Sequence, residues 1–240
     1  MMVHSQTFKQ SSSWRQNVSD PENRLFARGP SYRLDAEVLR DIGLWASGLL
    51  SPHMGGEGVK PYQPDGMWKA LAHPGSNTKQ YVRDKGELLY RRSLYVYWKR
   101  TSPHPMMTLF DAPDRESSCV QRQRTNTALQ SLGLLNETQR VEMGRVLAER
   151  ILIQAESDES RINLLFRLLA SRDASEQEKQ AVLGLVDVMK KRFANSGDDA
   201  KALLATGEAE QNGNLDAATH AAWTQATIAV LASDPAILLY

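Results

Sequence analysis

The residues best equipped for chemistry crowd one stretch of this 240-residue chain, from Arg91 to Asn126. It holds seven bases (Arg91, Arg92, Lys99, Arg100, Arg115, Arg122, Arg124) against three acids (Asp111, Asp114, Glu116), interleaved with Tyr95, Tyr97, Trp98 and Phe110. Guanidinium forks grip carboxylate, sulfate or phosphate at two points. Aromatic faces suit sugar rings and cations. The segment could therefore seat an anionic or sugar-like ligand. The same side chains can also neutralise one another and pin a loop onto helices, and so dense a mixture favours that internal network.

Paired carboxylates suggest a second chemistry. Glycoside cleavage needs two carboxyl groups about 5–10 Å apart across a bond. Asp111 with Asp114, or Glu37 with Asp41 at i and i+4 on one helix, could supply them, although such spacings are common by chance. Asp111, Asp114 and Glu37 are thus the candidate catalytic groups. The histidines, His4, His53, His73, His104 and His220, form no HxxxH or HExxH pattern, so no metal site is expected. GxxxxGK[ST] and GxSxG are absent as well. The one cysteine, Cys119, rules out an intramolecular disulfide and a CxxCH haem attachment within this sequence. It reads as a small packed side chain rather than a nucleophile.

The elements that must position these groups fall into two halves. Residues 1 to 28 are polar and serine-rich and read as a helix end followed by a loop, with a turn at Asp20-Pro21. Leu34, Val38, Ile42, Trp45 and Leu49 form the apolar stripe of an amphipathic helix, with Arg33, Glu37, Arg40 and Asp41 on its polar face. Gly48 and Ser51-Pro52 end it. A long Gly/Pro-rich loop follows, over residues 52 to 86. The run from Leu89 to Trp98 is dense in Tyr, Val and Trp and favours a short strand or hairpin. Beyond Thr125 the chain is helical, with capping boxes expected at Thr127/Gln130, Asn136/Gln139 and Ser175/Glu178, and an N-cap at Asp216. The last helix places Trp223, Ile228 and Leu231 on one side. The fold class is mainly α: one irregular helical domain over residues 1–240, loop-rich to 124 and helical from 125.

Basic and acidic residues nearly cancel, 29 against 28, which argues against nucleic acid as a partner. No apolar run reaches the ~18 residues of a membrane span.

Several motifs stand in an order that resembles one bacterial family. They are Arg91-Arg92-Ser93-Leu94-Tyr95, Trp98-Lys99-Arg100-Thr101-Ser102-Pro103, Phe110-Asp111-Ala112-Pro113-Asp114-Arg115-Glu116 and Arg124-Thr125-Asn126-Thr127-Ala128-Leu129-Gln130. Upstream, Asp20-Pro21-Glu22-Asn23-Arg24, Arg33-Leu34-Asp35-Ala36-Glu37, Arg40-Asp41 and Met54-Gly55-Gly56 fit too. The family is domain of unknown function 1553, the C-terminal module of planctomycete cytochrome-c-like secreted proteins. Ala128 replaces a usual proline, and Cys119-Val120-Gln121 an arginine-richer version.

The resemblance covers essentially the whole chain. Its start, which lacks a signal-peptide pattern of its own, resembles a segment internal to the family domain. The resemblance therefore implies a chain without the family's N-terminal part, in proteins exported to the periplasm or cell surface. It implies no cofactor in this chain and haem c on an upstream domain. The expected partners are the upstream domains and anionic polysaccharide. The missing metal and nucleophile motifs, with the domain order the resemblance implies, point to binding or scaffolding, linked to polysaccharide use. The alternative is a polysaccharide-active domain, hydrolytic or oxidative, with Arg33, Arg40, Asp41, Arg92, Tyr95, Lys99, Arg100, Arg115, Arg122, Arg124 and Asn126 lining a cleft beside the carboxylates.

Overall fold

The computed structural model describes residues 2–6, 8–12 and 19–239, so part of the helix end expected at the start lies outside the described residues. Ten α-helices dominate these residues, with one two-stranded antiparallel sheet. The fold is mainly α. The strands are β1 (Tyr32–Arg33) and β2 (Leu238–Leu239), paired Tyr32 to Leu239 and Arg33 to Leu238. They tie the segment entering the first helix to the end of the chain.

Helix α1 spans Ala36–Ser47 and ends on Gly48, whose φ of 86° only glycine adopts freely. Short helices α2 (Met67–Leu71) and α3 (Pro105–Leu109) punctuate the loop-rich half. The helical half holds α4 (Ala128–Asn136), α5 (Thr138–Gln154), α6 (Asp158–Ala170), α7 (Glu176–Asn195), α8 (Gly197–Leu204), α9 (Ala217–Leu231) and α10 (Asp234–Ile237).

Helix α5 is the hub, packed on α1, α4, α6 and most extensively on α9. Met143, Leu147, Ala148 and Ile151 of α5 join Trp223, Ala226 and Val230 of α9 and Leu44 of α1 in the main core. Gly144 lets α5 and α9 close up: a Cβ there would sit 2.4 Å from Ile228. Instead of presenting one stripe, α9 is buried along nearly its whole circumference, from His220 to Leu231. Its alanines and threonines are small enough for α5, α7 and α8 to surround it.

The capping boxes at Thr127/Gln130 and Ser175/Glu178 are present, as is the Asp216 cap. The cap of α5 is Glu137, not Asn136, which finishes α4; Gln139 turns inward instead. Two further expectations are corrected. The run Leu89–Trp98 is not a strand. It forms two 3-10 turns, Gly86–Tyr90 and Ser93–Tyr95, with isolated bridges from Arg91 to Ser51 and from Val96 to Val59. Each bridge is a single residue pair, too short to make a strand. On α1 the buried face carries Leu39, Arg40, Gly43 and Leu44, whereas Val38 and Trp45 are exposed. Arg40, placed on the polar face by its spacing, lies in the interior.

Candidate functional site

The residues singled out between Arg91 and Asn126 form a lattice turned on itself. Arg122 holds Glu37 in two-point fashion at 2.7 and 3.1 Å, with Asp35 at 3.5 Å. This pairing draws the Glu37 carboxyl below its ordinary range against the opposing effect of burial, which is the larger single influence. Arg124 lies over the Tyr32 ring with Asp35 at 3.9 Å. Asp111, with a φ of 62°, pairs with Arg33 and accepts from the Thr125 amide and hydroxyl. Arg100 pairs with Glu116, and Arg115 lies over Trp98. Asp114 accepts from the Glu116 amide. Lys99 donates to the Thr78 carbonyl and covers the Trp68 ring. Tyr95 carries the Arg91 guanidinium on its face and accepts from the Gly55 amide. Arg92 is exposed, its guanidinium 3.9 Å from the Met54 sulfur, and Asn126 is exposed. The two candidate carboxylate pairs are separated by function: Glu37 faces Arg122, while Asp41 accepts from the Ser93 amide and hydroxyl. Cys119, expected to be packed, is exposed.

A second set of charges lies in the core and works on backbone. Arg40 donates to Gln139 Oε1 at 2.7 Å and to the carbonyls of Leu89 and Arg91, each at 2.8 Å. Burial pulls its pKa down to about 10, so it is still a cation at neutral pH. One turn of α5 carries a complementary pair. Glu142 accepts at Oε1 from the Glu208 and Ala209 amides at 2.6 and 2.8 Å and from Tyr90 Oη at 2.8 Å. Arg145 donates to the Thr206, Ala209 and Glu210 carbonyls. Together they fix the 206–210 loop by both its donors and its acceptors. Backbone groups without helical or ladder partners are satisfied this way. Gly207, at φ 93°, passes so close to Glu142 that a Cβ would sit 2.3 Å from it.

That loop forms one wall of a cleft of about 820 Å³. Tyr62, Asp65, Tyr81 and Arg83 come from the long Gly/Pro-rich loop, Glu137 from the start of α5 and Glu208 from the clamped loop. Arg83 pairs with Glu208 and lies over the Tyr62 ring, 4.6 Å from its centre. Burial and the Glu142 carboxylate push the Tyr62 phenol up to about 12. Burial also raises Glu137, although its two oxygens accept from the Gln139 and Arg140 amides. With Asp65, Glu137 and Glu208 against Arg83, the cleft carries a surplus of carboxylates.

None of these cleft residues is among the candidate site residues of the sequence. They come from three segments far apart in the chain, and no local spacing marks them; only the length of the loop that carries Tyr62 to Arg83 hinted at a role. Among the described residues, no group of three or more His, Cys, Asp or Glu side chains is placed to hold a metal ion. No helix among the described residues is long and apolar enough to cross a membrane.

Comparison with curated proteins and with solved structures gives no match. A family model, PSD1, described as protein of unknown function (DUF1553), matches residues 1–186. The match takes in the Arg91–Asn126 lattice, the α1 and α5 charges that grip backbone, and every cleft wall except the 206–210 loop. With more than half of its length so matched, the chain belongs to the DUF1553 family.

Proposed function

We propose that the protein is a non-catalytic binding or scaffolding module of a larger extracytoplasmic protein whose upstream part carries haem c. The observation that carries this reading is the use made of the charges. Side chains typical of a ligand-gripping or acid–base site are engaged by the chain's own carboxylates and carbonyls, from Arg122 on Glu37 to Arg33 on Asp111. A group already neutralised by a fixed internal partner has little left to offer a substrate. Upstream domains of the same protein are the natural partners. Anionic polysaccharide fits less well, since the open cleft is itself rich in carboxylates.

One observation favours the alternative, a polysaccharide-active domain. Glu137 borders the cleft with a carboxyl raised by burial, the property of a general acid. Incubating the purified chain with sulfated, uronic and neutral polysaccharides separates the two. A binding module releases no new reducing ends and no oxidised products. Enzyme-like turnover that Glu137→Gln abolishes would replace the scaffold reading with the enzyme.

A further inference from the structure

The carboxylate-rich cleft does not end at its own rim. Tyr62, Pro64, Asn136 and Glu137 also border a second depression of about 270 Å³ between α3 and α4. Its lining is almost wholly apolar: Met106 and Leu109 from α3 face Leu129, Leu132 and Gly133 from α4. Leu129 and Leu132, at i and i+3, are 60% and 57% exposed. Two exposed leucines on one face beside an apolar trough form the kind of contiguous patch that marks an interaction surface. Gly133 keeps the trough narrow, since a Cβ there would meet Leu109 at 2.6 Å. Apolar groove and acidic cleft thus share a wall.

That juxtaposition selects among ligands. Anionic lipid headgroups and sulfated or uronic glycans would meet Asp65, Glu137 and Glu208 with like charge. A neutral saccharide has no aliphatic side chains to fill the groove. A polypeptide segment offers both chemistries in one short length, with aliphatic anchors for the groove and a Lys or Arg for the cleft. The cleft already shows what it does with such a cation. The chain's own Arg83 lies on the Tyr62 ring and pairs with Glu208, while Asp65 stands exposed at the same opening. We propose that the joined groove and cleft dock a basic, aliphatic polypeptide segment of a partner protein, with Leu129 and Leu132 as anchors and the exposed Asp65, beside the Arg83–Glu208 pair, as the acidic end. This rests on the reading of the chain as a binding module and names the chemistry of its partner.

Selection of a displayed random dodecapeptide library on the purified 240-residue chain tests it. The expected winners combine two or more aliphatic residues with Lys or Arg. A synthetic winner should lose roughly tenfold or more in affinity on Leu132→Asp and again on Asp65→Lys. Both sites are on the surface, and circular dichroism and melting of each variant should match the parent. Enrichment of acidic peptides, no enrichment, or a winner indifferent to both variants would overturn the proposal. So would light scattering that shows the same face closing a dimer of this chain, or a neutral oligosaccharide whose binding depends on the two variants. Catalytic turnover in the polysaccharide assay would instead strike at the scaffold reading and leave the peptide result standing.

Discussion

The helical half and the loop-rich half of this molecule are held together by different means. In the helical half, Leu147, Ile151, Trp223 and Val230 pack α5 on α9 through a largely apolar seam, and backbone groups satisfy themselves along each helix. The loop-rich half has little regular hydrogen bonding of its own. Its carbonyls are met by guanidinium groups: Arg40 on Leu89 and Arg91, and Arg91 on Gly55 and Glu57. Residues 206–210, a loop within the helical half, are held the second way, by Glu142 and Arg145. Buried charge in this protein mostly meets backbone: Arg40, Glu142 and Arg145 hold loops, and Arg140 holds carbonyls of Leu39, Leu134 and Leu231. The charges that do pair with one another lie nearer the surface, in the Arg91–Asn126 lattice and along α6, α7 and α8.

The contrast can be broken most forcefully at Arg40. Arg40→Ala leaves buried carbonyls and Gln139 without their partner and should cost about 3–5 kcal/mol in denaturant unfolding. Arg40→Lys should recover little, because one ammonium cannot span the same set of acceptors. Leu147→Ala should cost a similar amount, about 2–5 kcal/mol, by opening a cavity. The two differ in where damage appears. Limited proteolysis should cut residues 52–100 in Arg40→Ala and spare them in Leu147→Ala. Equal cutting in both would show that the halves are not held separately.

A pH titration sharpens the same contrast. His104 is buried, its Nε2 2.8 Å from the Tyr62 carbonyl, and burial together with nearby Arg40 lowers it from 6.5 to about 4. The unfolded chain takes up this proton near 6.5 and the folded chain does not until about 4. Stability from this group is therefore intact above 6.5 and falls as the pH drops to 4, by about 3 kcal/mol. His220, lowered by burial as well, adds in the same direction. His104→Gln should flatten the stability curve between those limits, while an unchanged curve would place the loss elsewhere.

Smaller effects follow. Gly207→Ala forces a Cβ against Glu142 at a left-handed backbone position and should cost about 1–3 kcal/mol. Urea unfolding would measure it. In the surface lattice, Arg122→Ala should cost at most about 1 kcal/mol, and less at high salt, because the pair with Glu37 is partly solvated. A loss of several kcal/mol there would make the lattice a structural element equal to the buried clamps.

What the sequence disclosed was what is local. Thr127 with Gln130 and Ser175 with Glu178 satisfy amides three residues away, so spacing alone reveals them. Gly48 at the end of α1 is equally local. Arg40 was misplaced because its periodicity on α1 matches Glu37 and Asp41, whereas its partners lie about 50 and 100 residues on. The aromatic run at Leu89–Trp98 has strand composition but pairs only at single residues, with Ser51 and Val59, and tertiary contacts override such a propensity. The cleft was illegible for the same reason as Arg40: Tyr62, Arg83, Glu137 and Glu208 meet only through the fold.

The most direct test of a self-engaged Arg/Asp segment is amide NMR while a sulfated oligosaccharide is titrated into the purified chain at physiological salt. The expected result is no saturable shift over residues 91–126. Saturable shifts centred on Arg122, Arg124 and Thr125, lost in Arg124→Ala, would contradict it and return that segment to the role of a ligand site.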